Sequence, residues 1–213
     1  AIRKKPENNQ NDHDTQHQIE KITNNIFFQT IKPMLSFRLS PHRVAGVIDP
    51  KSAIEAGLGD ISQDPPPCPK LVLETKYDGE RIVAHIDKEN SKLALYTRNA
   101  RDYTSMYGPA MQQHIFKAVN GTRAVLDGEM LSYDQITKKF VPFGNNRFVA
   151  LQLDVNQHLC YMVFDILYYS NGNETFDLRN TSFESRRKLL EKVIKPIEKR
   201  VEVVQQRVIQ PRD

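Results

Sequence analysis

Lys76-Tyr77-Asp78-Gly79-Glu80-Arg81 sets a lysine at the end of one short apolar run, a glycine in the turn and an arginine at the start of the next run. The chemistry such a group can do is that of a primary amine acting as a covalent nucleophile. An ordinary lysine, with a pKa near 10.4, is neutral in only about one molecule in a few thousand at pH 7, so a reactive one requires cations nearby. Arg81 and Arg98 are the cations that the surrounding sequence offers. Taken alone, Lys-x-Asp-Gly reads equally well as a solvated lysine beside an Asx-type turn. Three further clusters follow in order: Tyr96-Thr97-Arg98-Asn99, Asp127-Gly128-Glu129 and Phe164-Asp165.

The elements that must position these groups are mostly strands. Lys70 to Lys76 and Arg81 to Ile86 are β-type runs on either side of the Tyr77–Glu80 turn, and Leu93 to Arg98 is a third. Ser105 to Val119 has helical spacing, with Met111, Ile115 and Ala118 on one side and Pro109 near the first turn. Val125 to Leu131 and Cys160 to Tyr169 are two more apolar strands, the second of them central. Thr181-Ser182-Phe183-Glu184 matches a capping box that opens a helix. Leu190, Val193, Ile194 and Ile197 form its buried stripe, with Pro196 near its end. Val201 to Val208 begins one more strand, whose outer edge is expected to be unpaired. Upstream, Ile19, Ile22, Ile26 and Phe27 predict a short amphipathic helix, Pro50 to Gly59 another, and Pro65-Pro66-Pro67 a stiff connector. The fold class is α/β (α+β) on antiparallel sheets.

Composition narrows the function classes. The chain has 213 residues, 39% hydrophobic and 26% charged, which allows one medium domain or one domain plus a fragment. No run approaches the roughly 18 apolar residues that cross a bilayer, and no apolar signal segment opens the chain. Cys68 and Cys160 lie far apart in no metal-ligand spacing, which argues against zinc. A net charge of +4 is compatible with a polyanionic partner. The polar start, with its three consecutive basic residues Arg3-Lys4-Lys5, is expected to be disordered.

In this order the clusters resemble the motifs of covalent nucleotidyltransferases, the DNA ligases, RNA ligases and mRNA capping enzymes. Lys32-Pro33-Met34-Leu35 is similar to the segment joining the helical DNA-binding domain of eukaryotic ATP-dependent DNA ligases to their adenylation domain. Within the ligases, Glu74-Thr75-Lys76, Tyr103-Thr104-x-x-Tyr107-Gly108, Leu126-Asp127-Gly128-Glu129-Met130, Cys160-Tyr161-x-Val163-Phe164-Asp165 and Arg200–Gln205 look most like the end-joining subfamily, DNA ligase IV. The resemblance runs from about Ile31 to Arg207. It implies a disordered segment over residues 1–17, the end of a helical DNA-binding domain and linker over 18–45, and a partial, ATP-grasp-like adenylation domain over 46–213.

The resemblance also assigns roles. Lys76 is the nucleophile that attacks the α-phosphate of ATP and carries AMP as a phosphoramidate. Glu74 and Thr75 meet adenine, the glutamate by accepting its amino hydrogens, and Tyr77 lies beside the nucleotide through its backbone. Arg81 serves the ribose and phosphate side, Arg98 orients the phosphates, and Phe164 stacks on adenine. Glu129 lies near the ribose and holds Mg2+ through one carboxylate and water. Arg81 and Arg98 read otherwise as structural salt-bridge partners, and Phe164 as core. The implied substrate is nicked or broken double-stranded DNA, the implied location the nucleus, and the implied partner a coiled-coil protein bound through a C-terminal region.

Parts of the pattern are absent. A basic nucleotide contact expected some fourteen residues after the metal glutamate falls on Phe143, and Lys138, Lys139 and Arg147 are unassigned substitutes. There is no Glu-Gly dipeptide, hence no second metal glutamate, and no later pair of lysines for the triphosphate. The chain therefore reads as a fragment, expected to adenylate itself at the limit of detection. Two further readings stand beside the ligase: a catalytically incomplete DNA-end-binding module and an mRNA capping guanylyltransferase.

Overall fold

The computed structural model describes residues 27–31, 71–142, 144–151 and 155–209. The upstream helices, the polyproline connector, Lys32–Leu35, Cys68, Phe143 and the boundaries at 17 and 45 lie outside these. The described residues fall into two compact units, 27–31 with 78–203, and 71–77 with 204–209.

The first unit is built on a seven-stranded sheet. β2 (Glu80–Asp87), β3 (Lys92–Thr97), β4 (Arg123–Asp134), β6 (Gln157–Ser170) and β7 (Thr175–Asp177) lie in the order β3-β2-β4-β6-β7, with β5 (Lys139–Val141) on β4 and β8 (Val201–Val203) on β6. β1 (Leu71–Glu74) belongs to the other unit. Every pairing is antiparallel except β6 with β8. The α/β reading with antiparallel sheets holds, and β6 is central as expected, with partners on both sides.

Period-two alternation sends β2 into two cores. Ile82, Ala84 and Ile86 join Met111 and Ile115 of α1 (Thr104–Ala118) and Leu190 and Val193 of α3 (Phe183–Val193) in the larger one. Val83 faces the other way, with Val125, Leu167, Tyr168 and Phe27. A five-residue helix, α2 (Asn146–Ala150), is tied down by Asn146, whose amide donates to the Met130 carbonyl at 2.8 Å and accepts from Ser132 at 2.7 Å. Among the described residues no helix is long and apolar enough to cross a membrane.

Several expectations shift. Pro109 sits at the sixth helical position of α1 and not in its first turn; the helix starts without a side-chain cap. α3 is capped by Ser182, which accepts from the Ser185 amide at 3.3 Å, one residue later than the Thr181 box predicts. The helix ends at Val193. Ile194 and Ile197 make β-bridges to Val119 and Val201 instead of a fourth turn, because Pro196 disfavours helical geometry at Lys195. The single strand predicted over 201–208 is two. β8 lies parallel to β6, and β9 (Gln206–Ile209) pairs antiparallel with β1, Val208 opposite Val72. Val208 thus has a partner on one side, and among the described residues the other edge of β9 is unpaired.

On the second face, His85 is fully buried among Phe27, Phe28 and Tyr96. Its Nδ1 accepts from the Phe28 amide at 3.2 Å, which requires the neutral ring protonated on Nε2. Burial lowers its pKa from the usual 6.5 to about 4. The unfolded chain takes up this proton near pH 6.5 while the folded chain resists it until about pH 4. His85 therefore contributes full stability above pH 6.5, and on the order of 3 kcal/mol is lost as pH falls toward 4. Urea denaturation of the wild type and His85→Phe at pH 7 and pH 4.5 checks this: the wild type should lose more stability between the two. Parallel losses would mean that His85 titrates normally.

Candidate active site

The β2–β4 ladder places Arg81 opposite Glu129, with Asp127 its diagonal neighbour on the same face. Arg81 forks onto Asp127, Nε to Oδ1 at 3.0 Å and NH2 to Oδ2 at 2.5 Å. Asp127 is 1% exposed. Burial pushes its carboxyl up from the ordinary value against the pull of Arg81. Burial also opposes the Arg81 charge, but the Asp127 pair outweighs it and the guanidinium moves up. The same guanidinium lies 5.2 Å from the centre of the half-buried Phe164 ring.

A second fork stands beside the first. Asp165 of β6 is the cross-strand partner of Asp127, and Arg186 of α3 grips it with Nε at 2.7 Å and NH2 at 2.9 Å. Register shifts on either side of this pair, at Val125/Leu126 and at Asp127/Gly128, set the alignment of the two carboxylates. Gly128 permits it, since a Cβ there would lie 2.7 Å from both the Met162 carbonyl and the Tyr161 ring. The buried Tyr161 hydroxyl sits 2.8 Å from the Ile82 carbonyl and 3.1 Å from that of Leu126, bridging β2 and β4 from below.

Glu129 is half-buried, and its Oε1 accepts from the Gly79 amide at 3.2 Å. A Cβ at position 79 would approach the Met130 carbonyl to 2.4 Å and the Glu129 Cγ to 2.9 Å, so only glycine lets the turn settle onto the glutamate. Arg98 is exposed, one position past the Ile82–Thr97 end of the ladder, in a turn closed by Ala100 at φ +62°. Tyr107 donates to Glu80, which raises its phenol pKa further than burial alone does. The second unit carries the lysine end. Glu74 of β1 faces Gln206 of β9, whose Nε2 donates to Glu74 Oε1 at 2.6 Å. Thr75 and Lys76 follow, both exposed, and then the half-buried Tyr77. Arg81, Glu129 and Phe164 are thus gathered in one unit, and Glu74 to Tyr77 in the other.

Residues 66–213 match the family described as "ATP dependent DNA ligase domain". The chain belongs to this family. A DNA ligase 4 from Dictyostelium discoideum is 33% identical over 153 residues, 66% of this chain and 13% of that protein. DNA ligase 4 from Arabidopsis thaliana is 37% identical over 102 residues, 46% of this chain and 8% of the relative. The Saccharomyces cerevisiae protein of that name is 32% identical over 117 residues, 49% and 12% respectively. The chain thus spans about an eighth or less of these relatives. Among solved structures, a mycobacterial DNA ligase D complexed with ATP and MES has a TM-score of 0.45 and 22% identity, over 64% of this chain and 40% of that one.

Seen as a ligase domain, the chain adds residues to which the motifs assigned no role. Asp127 and Asp165 stood inside quoted motifs, yet each turns out to hold an arginine. Arg186 had a readable signal, because it shares the stripe of Leu190 and Val193 at positions i, i+4 and i+7 of α3 and is 8% exposed. Arg147, an unassigned substitute, stacks on Tyr103 with its guanidinium 5.4 Å from the ring and donates to that hydroxyl. Cys160 is buried filler, its thiol pushed up to about 12 chiefly by burial. Among the described residues no cluster of three or more acidic, histidine or cysteine side chains could cage a metal.

Proposed function

We propose that the parent protein is an ATP-dependent DNA ligase of the DNA ligase 4 type, acting in the nucleus on broken or nicked duplex DNA in non-homologous end joining. The observation that carries this is the ligase-family match over residues 66–213, which contain Lys76-Tyr77-Asp78-Gly79-Glu80-Arg81 and Asp127-Gly128-Glu129 in order. The Lys76 amine attacks the α-phosphorus of ATP, the bond to pyrophosphate breaks, and AMP remains on Nζ. The DNA 5′-phosphate then displaces the lysine from AMP, and the 3′-hydroxyl displaces AMP to close the strand, its proton passing to solvent. The chemistry is mainly positioning and charge neutralisation.

The chain's own residues divide that work. Glu74 accepts from the adenine amino group, with Gln206 holding one of its oxygens in place, and Thr75 and the Tyr77 backbone flank the base. Phe164 stacks on adenine with Arg81 fixed against it, so that Arg81 serves the ribose and phosphates from a position set by Asp127. The exposed Arg98 supplies a positive charge to the phosphates. Glu129, oriented by the Gly79 amide, would hold Mg2+, which when bound neutralises phosphate charge. A coiled-coil partner engages the protein through a further C-terminal region.

Incubating the full-length protein with α-labelled ATP or GTP and treating it with acid tests the proposal. An acid-labile adduct from ATP is expected. An adduct formed from GTP alone indicates a capping guanylyltransferase, and none from either indicates a DNA-end-binding module.

A further inference from the structure

A groove of about 600 Å3 opens where the C-terminal ends of α1 and α3 meet the β2–β3 turn. It is lined by Lys88, Lys117, Lys192 and Lys195 together with Val119 and Pro196. Arg81 and Lys88 are seven residues apart on the extended β2 strand and its end, so the groove lies about 23 Å from the Arg81 end of the sheet.

These lysines are not consumed by the fold. The helix ends are already closed by backbone: the Asn120 amide donates to Val193 at 2.7 Å and the Lys195 amide to Ala118 at 2.8 Å. Only Lys88 is used, its Nζ donating to the Val119 carbonyl at 2.9 Å. Nor do neighbouring carboxylates neutralise them. Asp87 and Glu89 are both drawn to Arg123, and Glu191 pairs with Arg187 at 2.8 Å. Among the described residues none of the four lysines forms an ion pair. Two helix C-termini contribute roughly half a negative charge each, against four ammonium groups. The groove therefore keeps a net positive field.

We propose that this groove is a second contact for duplex DNA, gripping the phosphate backbone away from the reacting ends. Lysines present compact charges on flexible stems and impose no planar geometry, which suits phosphates met without regard to sequence. The choice of DNA as the polyanion rests on the ligase reading above; the charge of the groove does not. Such a grip lets the protein hold an end while the nucleotide-binding half exchanges ATP.

The test uses the full-length protein carrying Lys117→Gln, Lys192→Gln and Lys195→Gln together, with Lys88 kept for its Val119 bond. Binding to a short intact duplex is followed by fluorescence anisotropy between about 50 and about 200 mM salt. Each lost phosphate contact flattens the salt slope by about 0.9, so the slope should fall by about 2–3 and affinity by on the order of 100-fold at 0.15 M salt. The corresponding Lys→Arg triple variant should bind like the wild type. Unchanged affinity and slope, or equal loss in the arginine variant, overturns the proposal. So does loss of binding to poly-glutamate with duplex binding intact, which assigns the groove to an acidic protein. Self-adenylation should be unaffected by the substitutions. If the wild type forms no adduct but the glutamine variant still loses duplex affinity, the ligase reading falls and the groove stands.

Discussion

Lys76→Ala in the full-length protein is expected to abolish the AMP adduct altogether while leaving the folded structure and duplex binding intact. The two effects separate because of where the residue sits. Lys76 is exposed and two positions beyond the end of β1, so its side chain contributes little packing. Surface substitutions of this kind usually change stability by within about 0.5 kcal/mol. The chemistry, by contrast, has no substitute: without the amine there is no bond for AMP to form. Lys76→Arg should fail just as fully, since a guanidinium with a pKa above about 12 stays protonated and cannot attack. Label retained after denaturing electrophoresis reads the adduct, and the denaturation midpoint reads the fold. A normal adduct from either variant would transfer the nucleophile's role to another residue.

The largest expected effect on stability belongs to Asp127→Ala. Removing this carboxylate takes away the fork partner of Arg81, whose side chain is only 19% exposed and lies against the Phe164 ring. Breaking a buried pair from one side costs about 3–5 kcal/mol, because the remaining charge loses its nearest counter-charge while staying largely out of water. That is a large part of the stability of an ordinary domain. Arg81→Met with Asp127→Leu removes both charges and should recover most of the loss, so the coupling appears as non-additivity in a double-mutant cycle. Guanidinium denaturation of the two single variants and the double variant measures it. A single-variant loss under about 1 kcal/mol would mean that water reaches Arg81 when Asp127 is gone.

What the sequence made legible follows from the range of the forces involved. The β2, β3 and β6 runs could be read because apolar side chains repeat along one strand, and the Tyr77–Glu80 turn because Asp-Gly announces itself locally. β5 and β7, with three residues each, and the five residues of α2 are too short to show a period. Residues 201–208 looked like one strand because Val201, Val203, Val204 and Val208 recur along it with no glycine or proline between them. Their division depends on a change of partner, from β6 to β1, which no local pattern records. Ile194 and Ile197 carried the apolar stripe of α3 past its end, where the Pro196 constraint on Lys195 outweighs burial. At the site, motif order identified the residue types but not what each one touches. That Arg81 is committed to Asp127, and Arg186 to Asp165, depends on the β4–β6 register and on the packing of α3.

The β1–β9 ribbon imposes an order of events on folding. Its two strands are separated by 132 residues from Glu74 to Gln206, and everything in the larger unit from Asp78 onward lies between them. Closing that length of unfolded chain costs about 4 kcal/mol in entropy. Four residue pairs, with Leu73 51% and Val208 53% exposed, offer little with which to offset it, and an isolated two-stranded ribbon is marginal in water. The ribbon must therefore zip last, once the intervening sheet has condensed and shortened the gap, and it opens first when the protein breathes. Lys76 emerges from the end of that ribbon. The lysine is thus carried by the latest-forming part of the fold, while both arginine forks belong to the sheet that condenses before it.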